Sequence, residues 1–124
     1  MQGVDPRPEL GEFYSLICAA LTAGVRIVGH NVSFDVARFN KTALCWGVGR
    51  QCTLTSAPFL CTMHSATKHC GLRTRGDKRA KAPSNQELYV CLHKRDPPGP
   101  LHRALPDSQV TLSSYIKGKE LRWW

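Results

Sequence analysis

Two short stretches of the chain carry residue types that do chemistry. In Val28-Gly29-His30-Asn31-Val32-Ser33-Phe34-Asp35, a carboxylate closes a run that starts apolar; in Leu101-His102-Arg103-Ala104-Leu105-Pro106-Asp107, a histidine precedes a carboxylate by five residues. The pattern places Asp35 in the first turn of a helix that follows directly on a strand, where α/β sheets put their ligands. His102 and Asp107 straddle a loop-to-helix junction, a spacing that lets an imidazole and a carboxylate face a common point. A carboxylate binds hard cations such as Mg²⁺, and a neighbouring imidazole accepts a proton from water. Each fragment alone has an ordinary reading. An Asp in a first turn usually serves the helix dipole or its cap, and a His ahead of a helix is usually a surface residue.

The elements that must position these residues follow from periodicity. Leu10, Phe13, Tyr14, Ile17, Ala20 and Leu21 recur at helical spacing before Gly24, predicting an amphipathic helix over 8–22. Val25-Arg26-Ile27-Val28 reads as a short buried strand. Ser33 is placed to cap a second helix that runs to about Trp46, with Phe34, Ala37, Lys41, Leu44 and Cys45 on one side. Residues 47–57 read as a loop, Phe59 to Thr62 as a second strand, and 64–72 as a short helix ending at Gly71. Ser84 and Glu87 form a capping box for a helix that turns Leu88, Tyr89 and Leu92 inward. The proline-rich run from Lys94 to Pro100 is a loop. A last helix starts near Pro106 and runs through Val110, Leu112 and Ile116 to Gly118. Helices alternating with short strands give an α/β domain, though two strands are few for a sheet.

The composition narrows the class. The chain has 124 residues, 42% of them apolar, which suits one domain with a real core and argues against wholesale disorder. The longest apolar run is Leu16 to Leu21, far short of the ~20 residues of a membrane span. The first residues show no basic segment followed by an apolar one, so the expectation is an intracellular protein of cytoplasm or nucleus, not secreted and not membrane-bound. Six cysteines then read as reduced, mostly buried thiols. Seventeen Lys plus Arg against nine Asp plus Glu leave a formal charge of +8, which favours an anionic partner.

Taken together and in this order, the two stretches resemble the second and third motifs of the DEDDh 3′–5′ exonucleases, the family related to the proofreading ε subunit of bacterial DNA polymerase III. His30, Asn31, Phe34 and Asp35 match H-N-x-x-F-D, and His102, Ala104 and Asp107 match H-x-A-x-x-D. Between them, Cys61-Thr62-Met63 resembles the family's C-T-M strand end. Lys81-Ala82-Pro83-Ser84-Asn85-Gln86-Glu87-Leu88-Tyr89 resembles its K-x-P-x-x-x-E-L-Y helix start. The resemblance spans roughly residues 8–118. It implies a ribonuclease H-like α/β fold and stepwise hydrolysis of single-stranded DNA or RNA from the 3′ end. Two Mg²⁺ or Mn²⁺ ions would sit between four acidic residues, about 3.5–4 Å apart. By motif, Asp35 and Asp107 would be metal ligands and His102 the general base. His30 and Asn31 would shape the strand end, and Phe34 would pack behind Asp35.

The family's first motif, D-x-E on the first strand, is absent. The nine carboxylates are Asp5, Glu9, Glu12, Asp35, Asp77, Glu87, Asp96, Asp107 and Glu120, and no two stand two residues apart. By the resemblance, Asp5, Glu9 and Glu12 fall at or before the helix that follows the family's third strand. Residues 1–118 then read as a partial DEDDh exonuclease domain lacking its first strands, and 119–124 as a C-terminal tail. The expected chain is inactive or weak alone, with the D-x-E segment supplied upstream or by a separate chain. The alternative is a catalytically inactive remnant that binds nucleic acid or a polymerase.

Three further features remain. Lys68, Arg73, Arg75, Lys78, Arg79 and Lys81 fall within 14 residues and read as a group as a phosphate-contacting loop, to which Lys94, Arg95 and Arg103 add. Cys61, His64, His69 and Cys70 invite a zinc reading, but two adjacent ligands suit one tetrahedral ion poorly. Trp123 and Trp124 end the sequence; packing on the last helix, docking on a partner and continuation into a longer chain all stay open.

Overall fold

A computed structural model describes residues 3–76 and 79–124. Five helices and two short strands follow in the order α1 (Arg7–Thr22), β1 (Val28–Gly29), α2 (Val32–Cys45), β2 (Leu60–Cys61), α3 (Thr62–Cys70), α4 (Asn85–His93) and α5 (Ala104–Glu120). The described part is mostly helical, and β1 pairs with β2 in parallel. Among the described residues no helix is long and apolar enough to cross a membrane. The chain divides into two compact units, one holding residues up to Ile27 with Val32–Leu60, the other Val28–Asn31 with Cys61–Trp124.

In the first unit α1 and α2 end alike. Gly24 and Gly47 take φ of +74° and +75°. The amide of the next residue reaches back six positions inclusive, Val25 N–H to the Ala20 carbonyl and Val48 N–H to the Ala43 carbonyl, both at 2.9 Å. This is the Schellman arrangement, which satisfies carbonyls a helix end leaves orphaned. Ile17, Val32, Ala43, Cys52 and Leu54 form the buried positions. The following loop is held by a two-way amide bond. Asn40 Nδ2–H donates to the Leu54 carbonyl and Oδ1 accepts from Leu54 N–H, each at 2.8 Å. The expected strand over 25–28 contracts to Val28–Gly29, and Val25 is exposed. α2 starts at Val32, so Ser33 lies inside it, not at its cap.

The second unit is built on α4 and α5. Ser84 Oγ accepts the Glu87 N–H at 3.1 Å, and a Glu87 carboxylate oxygen accepts the Ser84 N–H at 3.0 Å, completing the predicted capping box. Leu88, Tyr89 and Leu92 are buried, as their spacing requires. Leu88, Leu92 and Ala66 make the core cluster, and Cys70, Trp123 and Trp124 pack against it.

α5 turns a different face inward from the one bulk hydrophobicity suggests. Its buried positions are Val110, Ser114 and Gly118, four residues apart. Leu105, Leu112 and Ile116 stay 67%, 58% and 50% exposed. The small face exists because something large lies on it. A Cβ at Gly118 would stand 2.1 Å from Trp124 Cζ2. The Trp124 indole N–H donates to the Tyr115 carbonyl at 3.1 Å, and its ring stacks on Tyr115. Trp123 stacks on His69, with ring centroids 4.6 Å apart. The helix therefore passes through Gly118 to Glu120, and the expected stop is absent. It ends in a third Schellman motif, in which Arg122 takes φ +60° and Trp123 N–H reaches the Gly118 carbonyl at 2.9 Å. Of the three readings of the terminal tryptophans, packing back on the last helix is the one observed.

The basic stretch is more ordered than a loop. Arg73 and Ala80 form an antiparallel bridge. Thr74 N–H reaches the Arg79 carbonyl and Lys81 N–H the Leu72 carbonyl, both at 2.9 Å. Lys78 lies with Asp77 outside the described residues.

Candidate functional site

His30 follows β1 and is half-buried, with both ring nitrogens engaged inside the second unit. Nε2 lies 2.9 Å from the Pro83 carbonyl. A carbonyl only accepts, so Nε2 carries the hydrogen. Nδ1 lies 3.0 Å from the Thr62 hydroxyl, which is fully buried. That hydroxyl also lies 3.3 Å from the Gly29 carbonyl, so its one hydrogen has two acceptors within reach, Nδ1 and that carbonyl. One side chain thus ties the end of β1 to the first residue of α3 and to the segment that caps α4. Asn31, next in line, takes φ +61°, a conformation asparagine tolerates better than other residues with a Cβ.

Asp35 sits in the first turn of α2, in the first unit, and is exposed. Phe34, expected to pack behind Asp35, is 56% exposed. A residue in the first turn of a helix with a single buried neighbour, Val32, has little to lean on. The Arg38 guanidinium lies over the Phe34 ring, 5.3 Å from its centroid, a cation–π contact one helical turn along.

His102 and Asp107 are brought together in the second unit. The Asp107 carboxylate turns back to the residue before the N-cap of α5, and Oδ1 accepts the His102 N–H at 3.0 Å. His102 takes φ +71°. For a residue with a Cβ this costs roughly 1 kcal/mol, and a hydrogen bond to a charged acceptor offsets it by a similar amount. The hooked turn holds the exposed His102 beside a half-buried Asp107 at the N-terminal end of α5. The same bond gives Asp107 the capping role its position in the first turn foretells.

Residues outside the motifs build the surroundings. Asn85, first residue of α4, donates from Nδ2 to the Asp107 carbonyl at 3.1 Å. The Thr111 hydroxyl lies 3.0 Å from that carbonyl and 3.2 Å from Asn85 Oδ1. Periodicity does not reveal Asn85 or Thr111; their only sequence signal is adjacency, one residue after Ser84 and four after Asp107. Arg73, Arg75 and Arg79 are exposed around the Arg73–Ala80 bridge, and Arg103, also exposed, is the N-cap of α5. Lys81 is engaged, its Nζ donating to both Glu87 carboxylate oxygens at 3.0 Å. The Ser84 N–H and Lys81 together hold the Glu87 carboxyl below its usual range.

The six cysteines are free, but only Cys52 is buried; Cys45 is exposed and the others are half-buried, against the expectation of mostly buried thiols. Burial and a hydrogen bond with Cys91 push the Cys70 thiol up to about 12. Of the four residues in the zinc reading, Cys70 is directed at Cys91 and His69 at Trp123. Among the described residues no three His, Cys, Asp or Glu side chains gather to hold a metal ion.

No family model, curated protein or solved structure matches the chain.

Proposed function

We propose that the chain is part of a 3′–5′ exonuclease domain of the DEDDh type, with a ribonuclease H-like fold, acting on single-stranded DNA or RNA. The reading rests on the two motifs, and one observation carries it beyond them. The H-x-A-x-x-D stretch folds as a hooked turn in which Asp107 holds the His102 backbone at 3.0 Å and leaves the imidazole exposed. An exposed histidine can meet water and take up its proton, which is what a general base must do.

The residues present do not by themselves fit two divalent ions. Asp35 and Asp107 are two carboxylates in different units, the described residues offer no group of three donors, and the 124 residues contain no D-x-E. Hydrolysis dependent on Mg²⁺ or Mn²⁺ therefore needs carboxylates from outside these residues, in cis or on a separate chain. What the chain's own residues supply is a base at His102 and a basic surface at Arg73, Arg75, Arg79 and Arg103. That surface suits a phosphate backbone, and a charge of +8 draws one in. The same shortage of carboxylates favours a second reading, an inactive module that holds nucleic acid or a polymerase without cutting.

Fluorescence anisotropy with a labelled single-stranded oligonucleotide tests what both readings share. Binding that weakens steeply as salt rises is expected. Absence of binding at low salt would contradict both.

A further inference from the structure

We propose that Asn85 is the positioning residue of the His102–Asp107 pair. The proposal rests on the exonuclease reading for what the pair does, but not for how the pair is held.

Within the first turn of α5, Asp107 accepts the His102 N–H and the Ser108 hydroxyl donates to the Ala104 carbonyl. Its N-cap, Arg103, makes no side-chain capping bond, and Pro106 contributes no N–H. The positive φ of His102 adds a local tendency to relax. A further constraint comes from another helix. Asn85 Nδ2–H donates to the Asp107 carbonyl at 3.1 Å, and the Thr111 hydroxyl, with one hydrogen to give, lies within reach of both that carbonyl and Asn85 Oδ1. The Asn85 amide thus turns its donor to Asp107 and its acceptor to Thr111.

Asn85 itself is placed by a rigid segment. Ser84 and Glu87 close a reciprocal cap around it, Lys81 bonds Glu87, and His30 bonds the Pro83 carbonyl two residues before it. The path from the end of β1 to the candidate base is thus a chain of hydrogen bonds within one unit: His30, Pro83, the α4 cap, Asn85, Asp107, His102. Asn85 is its only link across to α5 along this path, and the link requires a donor. An Asp in its place keeps the shape and the acceptor for Thr111 but turns an oxygen toward the Asp107 carbonyl. It also puts a negative charge in the first turn of α4, which favours that helix. Stability of α4 and order of the pair therefore move in opposite directions in Asn85→Asp, which a purely structural role for Asn85 would not produce.

The test is amide hydrogen exchange of the chain, followed residue by residue by NMR. In the unaltered protein the bond to Asp107 protects the His102 N–H from exchange. In Asn85→Asp and Asn85→Ala that protection falls at least tenfold, while the amides of α4 stay protected. Thr111→Val, with Asn85 in place, gives a smaller fall and covers the case in which an Asn85 variant does not fold. His102 protection unchanged in a folded Asn85→Asp or Asn85→Ala would overturn the proposal. The exonuclease reading is decided separately, by metal-dependent shortening of a single strand by a chain that carries a D-x-E strand, and the His102 amide decides Asn85 whichever way that falls.

Discussion

Replacing Gly118 by alanine should destabilise the chain, and should stabilise it once Trp124 is gone. In an ordinary helix interior, Gly→Ala gains about 1 kcal/mol. Here the new methyl would overlap the Trp124 ring, with Cζ2, Cη2 and Cε2 at 2.1, 2.4 and 2.7 Å. The overlap is with ring atoms, so the ring must leave its seat. Losing a buried tryptophan costs roughly 3–5 kcal/mol, and a half-buried one about 2 kcal/mol. The bond to the Tyr115 carbonyl adds about 1 kcal/mol. The net effect of Gly118→Ala is a loss of about 1–2 kcal/mol, or several degrees in Tm. In a Trp124→Ala background the clash is gone, and the same substitution should gain up to about 1 kcal/mol. Urea denaturation of the four proteins, followed by far-UV circular dichroism, gives the cycle. A coupling of roughly 2–3 kcal/mol is expected. Gly118→Ala stabilising the unaltered chain, or behaving alike in both backgrounds, would refute the packing argument.

Four other outcomes follow from the structure. His30→Ala leaves the Pro83 carbonyl without its partner and the buried Thr62 hydroxyl with the Gly29 carbonyl alone, and should cost about 1–3 kcal/mol in urea unfolding; a loss below about 0.5 kcal/mol would show the tie to be idle. Burial, with Arg95 and Lys117 nearby, lowers the His93 imidazole from its ordinary value of 6.5, so the folded chain binds that proton less readily than the unfolded one. Its contribution to stability is therefore present above about pH 6.5 and is lost as the pH falls, a slope that His93→Gln should flatten in pH-dependent denaturation. Arg73→Ala with Arg75→Ala should make the log–log salt slope of single-strand binding shallower by about 1.4. Lys81→Ala, with its ammonium already on Glu87, should change the slope less.

Where pattern and structure agree, local chemistry decides. The Ser84–Glu87 box, the left-handed glycines at 24 and 47 and the inward Leu88, Tyr89 and Leu92 each depend on neighbours within one turn, so they are legible in the sequence. Where they part, a distant group intervenes. Gly118 looks like a stop because glycine often ends a helix, but its missing side chain makes room for Trp124 six residues on, and Arg122 takes the left-handed position. The inward face of α5 is small, not apolar, for the same reason, so periodicity points to Leu112 and Ile116, which are exposed. In the candidate site, the motif residues at 30, 35, 102 and 107 can be read from spacing. The clamp of Thr62, Asn85 and Thr111 cannot, because a hydrogen bond between helices has no period. The Arg73–Ala80 bridge is hidden likewise, since the residues around it carry no alternating apolar face.

The function proposed above requires His102 and Asp107, with Asp35 by motif, to serve metal-dependent hydrolysis once two carboxylates are supplied from outside these 124 residues. The most direct measurement supplies them. A folded chain extended to carry a D-x-E strand is incubated with 5′-labelled single-stranded DNA and RNA and with Mg²⁺ or Mn²⁺, and the products are resolved at single-nucleotide length. The account predicts a ladder shortening from the 3′ end. Asp35→Asn or Asp107→Asn should abolish it, and His102→Ala should slow it while leaving binding largely intact. No metal-dependent shortening from an extended chain that unfolds cooperatively would contradict the account.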